Sequence, residues 1–240
     1  SEPGSGGNVN IIRWNTTPNA MERLLADYSG LVACVDELGA SNHKQLSSLL
    51  YNITSGTAKE RLNRGLTADE PFKWRMFILS TGEMSISEKL AEQKAVLQGG
   101  QEHRAISMEL LPEDAQKPDE PVSETRARAD ALKTGLAEAY GHAGPAFIGK
   151  LLSGKNTAGG PRTYAEFSSW LQEQTDDCCN ALEEALRDEG RDITRVQRRG
   201  LKRFALVWLA GEKALKYGLL PFESDAVAKS VISAARRWLD

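Results

Sequence analysis

The chain has 240 residues, 40% of them hydrophobic and 26% charged, with a formal net charge of -3. That length holds one sizeable core or two small ones, and the composition excludes a chain disordered throughout. The slight net acidity excludes a uniformly basic nucleic-acid binder, but it allows local basic stripes such as Arg195, Arg198, Arg199, Lys202 and Arg203.

The opening segment SEPGSGGN has neither the basic nor the apolar region of a signal peptide and is expected to be a flexible start. Val9 to Trp14 is apolar and extended, and Thr17 followed by Pro18 supplies the cap and first residue of a short helix carrying Met21, Leu24 and Leu25. Leu31 to Val35 is apolar without alternation, the pattern of a strand buried on both faces of a parallel sheet. Helical spacing returns in Leu46, Leu49, Leu50 and Ile53 and ends near Gly56. Lys73 to Ser80 forms a second apolar strand, followed by a helix with Ile86, Leu90, Ala91 and Leu97 and a break at Gly99-Gly100. Ala105 to Leu111 is expected as a third strand. Strands alternating with helices imply a parallel α/β layer over residues 1–111.

At Pro112 the composition changes to PEDAQKPDEPVSE, which marks residues 112–123 as a linker or surface loop. Residues 124–240 form a helical half. Ser123 is placed to cap a helix through Tyr140, and Thr163 with Glu166 fits a capping box for a helix through Glu189. Asp192 is expected to cap a helix ending at Tyr217-Gly218, and Ser224 to start the last one.

The residues that suggest chemistry begin with LVACVDE, Leu31 to Glu37. A Walker B strand beside a phosphate loop ends in an acid pair, one carboxylate holding the water shell of magnesium and the next polarising the attacking water. Asp36 and Glu37 occupy those places, and a core strand running into a polar loop accounts for the same letters equally well. Ser80 and Thr81 end the neighbouring strand as a sensor residue would, although hydroxyls after a strand are also ordinary turn chemistry. GGQEHR, ahead of the expected third strand, resembles the segment by which AAA+ ATPases present an arginine to the nucleotide of a neighbouring subunit, which makes Arg104 the candidate for that role, or else a solvated arginine.

Cys34, Cys178 and Cys179 lack the number and spacing of a disulfide framework or zinc site, so a reducing cytoplasm is the expected compartment. No apolar run approaches the roughly 18 residues of a membrane span, and no membrane contact is expected. Gly149 to Asn156, GKLLSGKN, nearly fits a phosphate-loop template. It fails because Asn156 replaces the hydroxyl ligand of magnesium and Leu151 and Leu152 fill a loop that must approach phosphate.

Several blocks together resemble the domain-of-unknown-function family DUF927. They are RWNTTPNAMERLLADYSGLVACVDELG, TSGTAKERLNR, FILSTGEMSISE, GGQEHRAISMELLP, YGHAGPAFI and RFALVWLAGEKALKYGLLPF, in that order over nearly the whole chain. The resemblance implies an α/β P-loop NTPase core, RecA- or AAA+-like, followed by an all-helical C-terminal half. It implies ATP hydrolysis coupled to DNA remodelling or replication in the intact protein, with nucleotide between the subunits of a hexamer-like homo-oligomeric ring. A non-catalytic ATPase-like module serving assembly or DNA binding is the alternative. Carried over, Asp36 and Glu37 match Walker B, with Asp36 toward magnesium, and Ser80 or Thr81 matches the sensor. Lys59, Arg61 and Arg64 lie in a basic block expected to meet nucleotide, a neighbour or DNA, and Arg199 or Arg203 matches a second sensor arginine. The GxxxxGK[ST] loop that such families place upstream of RWNTTPN is not in this sequence, so ATP and Mg2+ are expected to bind weakly or not at all here.

Overall fold

The computed structural model describes residues 11–41, 46–59, 61–62, 68–95, 105–154 and 159–240. They divide into two compact units, Ser1–Ser107 and Met108–Asp240. The architecture is mixed α/β, with a small parallel sheet in the first unit and helices through the second.

In the first unit, strand β1 (Ile11–Arg13) leads to helix α1 (Pro18–Asp27), where the Thr17 hydroxyl accepts from the Ala20 N–H at 3.3 Å. Strand β2 (Val32–Asp36) lies between β1 and β5 (Phe77–Ser80), parallel to both, in a three-stranded sheet of order β1-β2-β5. Between them come helix α2 (Leu46–Ser55) and an antiparallel pair, β3 (Arg61–Leu62) with β4 (Ala68–Asp69). Helix α3 (Ile86–Glu92) follows β5, its first turn closed by a capping box of Ser85 and Glu88.

The core of this unit gathers Ile12, Ala33 and Val35 from the sheet with Met21, Leu25, Leu46, Leu49, Leu50 and Leu90 from the helices. Successive strand residues face opposite ways, so the other sheet face carries Ile11, Val32, Phe77 and Leu79, which are exposed among the described residues, Val32 by 56% and Leu79 by 58%. The expectation of a strand buried on both faces is therefore corrected: among the described residues β2 is covered on one. The second apolar strand is also shorter than expected, with Lys73 making only an isolated bridge to Thr57. Ala105 to Leu111 is not a strand, because it finds no pairing partner among the described residues and a strand exists only by pairing.

The second unit contains α4 (Pro112–Ala115), α5 (Val122–Glu138), α6 (Ala143–Leu152), α7 (Tyr164–Asp188), α8 (Arg195–Lys216) and α9 (Ala226–Leu239). Leu182, Leu186, Leu201, Ala205 and Ala235 are fully buried among α7, α8 and α9. The capping box of Thr163 and Glu166 forms as expected. Helix α8 is capped by Thr194 and not Asp192: Gln197 stands three residues after Thr194 and bonds back to it, whereas Asp192 has Arg195 at that position. Helix α5 starts at Val122 behind Pro121, so Ser123 is inside it, and α9 follows Asp225 in place of Ser224. Gly149 to Leu152 is helical, with no strand leading into it among the described residues, in agreement with the rejection of GKLLSGKN as a phosphate loop.

Candidate functional site

The parallel register sets Arg13 beside Asp36 and Val35 beside Ser80, so the three strands end together at the carboxyl edge of the sheet. Backbone pairing continues past that edge. The Trp14 N–H donates to the Asp36 carbonyl at 3.1 Å, Thr81 N–H to the Val35 carbonyl at 3.0 Å, and Leu38 N–H to the Thr81 carbonyl at 3.1 Å. Ligands of open parallel sheets bind at this edge. Here it brings together Asp36, Glu37, Ser80 and Thr81.

The Thr81 hydroxyl donates to Asp36 Oδ1 in a short bond, and the Glu37 N–H donates to the same oxygen at 2.9 Å. The Thr81 hydroxyl and then the Glu37 N–H hold the Asp36 carboxyl below the usual carboxylate range, with a smaller effect from Arg13 and an opposing one from burial. Asp36 is thus ionised at neutral pH. Glu37 has φ of 62° and ψ of 56°, the left-handed region that costs a side-chain-bearing residue about 1–2 kcal/mol. Strain of this kind gathers at functional sites. The Glu37 carboxylate lies 3.8 Å from the Arg13 guanidinium, in a pair whose side chains are 51% and 70% exposed.

Ser80 has a different task. Its hydroxyl accepts from the indole Nε1 of buried Trp14 at 2.8 Å. The turn that carries Glu37 runs on into a 3-10 turn, Leu38–Ala40, and Lys89 secures it: the ammonium of this buried side chain donates to the Gly39 carbonyl at 2.8 Å and pairs with Glu92 at 2.8 Å. Gly82 gives the turn room, since a Cβ there would meet Leu38 Cβ at 2.8 Å. Arg13, Gly82 and Lys89 escaped the sequence reading. For Arg13 the available signal was its place at the end of an apolar strand two elements before the acid pair.

Lys59 is exposed, and Arg61 opens β3. Arg64 and Arg104 lie outside the described residues. Arg199 and Arg203 are on α8 in the second unit, where the Arg203 guanidinium donates to the Arg199 carbonyl at 3.0 Å. Among the described residues no group of three or more His, Cys, Asp or Glu is placed to hold a metal, and no helix is long and apolar enough to cross a membrane.

A mixed α/β fold of this kind is found in a solved helicase. The structure described as SCCmec type IV Cch, active helicase, matches with a TM-score of 0.61 at 19% identity, over 100% of this chain and 38% of that one. The likeness is one of fold, and this chain spans little more than a third of that protein. Residues 5–70 match the family described as Domain of unknown function (DUF927). That bears out the resemblance over the stretch holding RWNTTPN, VACVDELG and TSGTAKERLNR; the later blocks fall outside the matched residues. A comparison with curated proteins finds no match.

Proposed function

We propose that this chain is the Walker B and sensor portion of a helicase-like P-loop ATPase, which couples ATP hydrolysis to DNA remodelling in the cytoplasm. The observation that supports it most is the Thr81 hydroxyl bound to the Asp36 carboxylate across adjacent parallel strands, with Glu37 next in the chain.

In this reading the ionised Asp36 holds Mg2+ through its water shell. A carboxylate beside a hydroxyl suits that ion, which takes one or two protein carboxylates and leaves its other positions to water and phosphate. Bound with ATP, magnesium supplies charge neutralisation on the phosphates. Glu37 accepts a proton from the attacking water. Its contact with Arg13 is long and solvent-exposed, so exchanging it for another partner costs little. Thr81 is the sensor, since the Ser80 hydroxyl is engaged by Trp14.

The family resemblance adds Arg104 acting across the subunit interface of a homo-oligomeric ring. It also adds Lys59, Arg61 and Arg64 toward nucleotide, neighbour or DNA, and Arg199 or Arg203 as a second sensor. The test joins the chain to an upstream phosphate-binding loop and measures ATP hydrolysis against magnesium concentration. Asp36→Asn is expected to raise the magnesium requirement at least tenfold. An unchanged requirement would reject the metal role of Asp36.

A further inference from the structure

A second cluster of side chains lies in the helical unit, away from any role assigned above. The Arg162 guanidinium sits over the Trp170 ring, 4.4 Å from its centroid, and the Lys213 ammonium lies 5.2 Å from the same ring. Phe167 packs on Trp170 at 5.6 Å between centroids. One turn further along α8, Tyr217 contacts Phe147 of α6 at 5.8 Å, with the Lys150 ammonium 5.9 Å from the tyrosine ring. Lys213 and Tyr217 are four residues apart and share a helix face, so the two groups form one strip of alternating rings and cations. Trp170, Tyr217, Arg162 and Lys213 are half-buried and Lys150 is exposed.

Helix electrostatics explain only part of this charge. Lys150 and Lys213 are in the last turns of α6 and α8, where the helix dipole favours a cation. Arg162 directly precedes Thr163, the cap of α7, where the dipole disfavours one. Its Nη1 lies where a side chain on Gly154 would stand, 2.8 Å from the position of a Cβ there. Two of the nearby acids are engaged elsewhere: Glu166 closes the capping box with Thr163, and Glu212 accepts from Trp208 at 3.3 Å. Among the described residues, Lys150, Arg162 and Lys213 have no carboxylate partner, and Lys213 donates instead to the amide oxygen of Gln174 at 3.3 Å.

Flat rings interleaved with cations that make no ion pair among the described residues match the chemistry of single-stranded nucleic acid, whose bases stack on aromatic faces while its phosphates meet cations. A duplex keeps its base faces covered, and an acidic peptide, unlike a single strand, does not carry a flat ring beside every negative charge. We propose that this strip binds single-stranded DNA or RNA, with bases against Trp170 and Tyr217 and phosphates on Arg162, Lys213 and Lys150. The proposal names a nucleic-acid surface for the helicase-like reading, but it requires no nucleotide, so either can fail alone.

The test is fluorescence anisotropy of the whole chain with labelled oligothymidine and oligouridine in the absence of ATP, circular dichroism verifying the fold of each variant. Binding is expected to weaken with salt, and the double variant Arg162→Gln/Lys213→Gln to lower the log–log salt slope by about 0.7 for each cation removed. Trp170→Leu is expected to weaken binding about tenfold or more through lost stacking. Four results would each overturn the proposal: no binding at low salt, equal binding by the double variant, equal binding of a duplex, or equal displacement by polyglutamate.

Discussion

Trp14 and Ser80 are joined across the sheet by a hydrogen bond of 2.8 Å, from the indole N–H of one to the hydroxyl of the other. The bond assigns Ser80 to the fold and leaves Thr81, one residue later, to the acid pair. Ser80→Ala strands the N–H of a tryptophan that is 2% exposed. It is expected to cost about 1–3 kcal/mol of stability, read as a lower urea midpoint. Thr81→Val removes the largest influence holding the Asp36 carboxyl down, so the Asp36 pKa is expected to rise toward its ordinary value in a carboxyl NMR titration. Reversed outcomes for the two residues would exchange their roles.

Asp114 and Arg237 form a two-pronged pair, both bonds at 2.5 Å, that ties α4 to α9. The pair lowers the Asp114 pKa from 3.8 to about 2, chiefly through the arginine's hydrogen bonds, with the Leu111 N–H adding to them. A carboxylate whose folded pKa lies below its unfolded value stabilises the fold above the unfolded value, and that contribution disappears as pH falls through the folded one. Asp114→Asn is therefore expected to lower the melting temperature at pH 6 and to converge with the parent near pH 2. A constant difference across that range would contradict the pairing.

Gly200 lies within α8 against the ring of Trp238 on α9, where an added Cβ would overlap the ring. In an open helix Gly→Ala is stabilising by about 1 kcal/mol. Here the overlap is expected to reverse the sign, with Gly200→Ala destabilising by about 1–3 kcal/mol in chemical denaturation. A more stable variant would show that α8 and α9 do not pack this closely.

The legible parts of the fold were those with local signals. Thr17-Pro18 and Thr163 with Glu166 name their helix starts within four residues, and the apolar run before Asp36 names the strand that aims it. The illegible parts depend on distant partners. Arg13 reaches Glu37 only through the β1–β2 register, and Lys89, a polar position on a short helix, is buried because the Gly39 carbonyl receives its ammonium. Ala105 to Leu111 has strand-forming letters and, among the described residues, no neighbouring strand to pair with. The apolar letters of Val32 and Leu79 suggested cover on both sheet faces, but apolar character alone cannot say whether a second layer is present. The aromatic and basic strip eluded the sequence because Arg162, Trp170 and Lys213 meet only when α7 and α8 pack together.

The central claim is that Asp36 and Glu37 are an acid pair built for nucleotide hydrolysis, and Glu37→Gln tests it most directly. In the chain joined to an upstream phosphate-binding loop, single-turnover hydrolysis of ATP should fall by about 10²-fold or more, the loss typical of removing a general base, while ATP binding persists. Hydrolysis at the parent rate with ATP bound would contradict the claim and leave this edge of the sheet without a catalytic carboxylate.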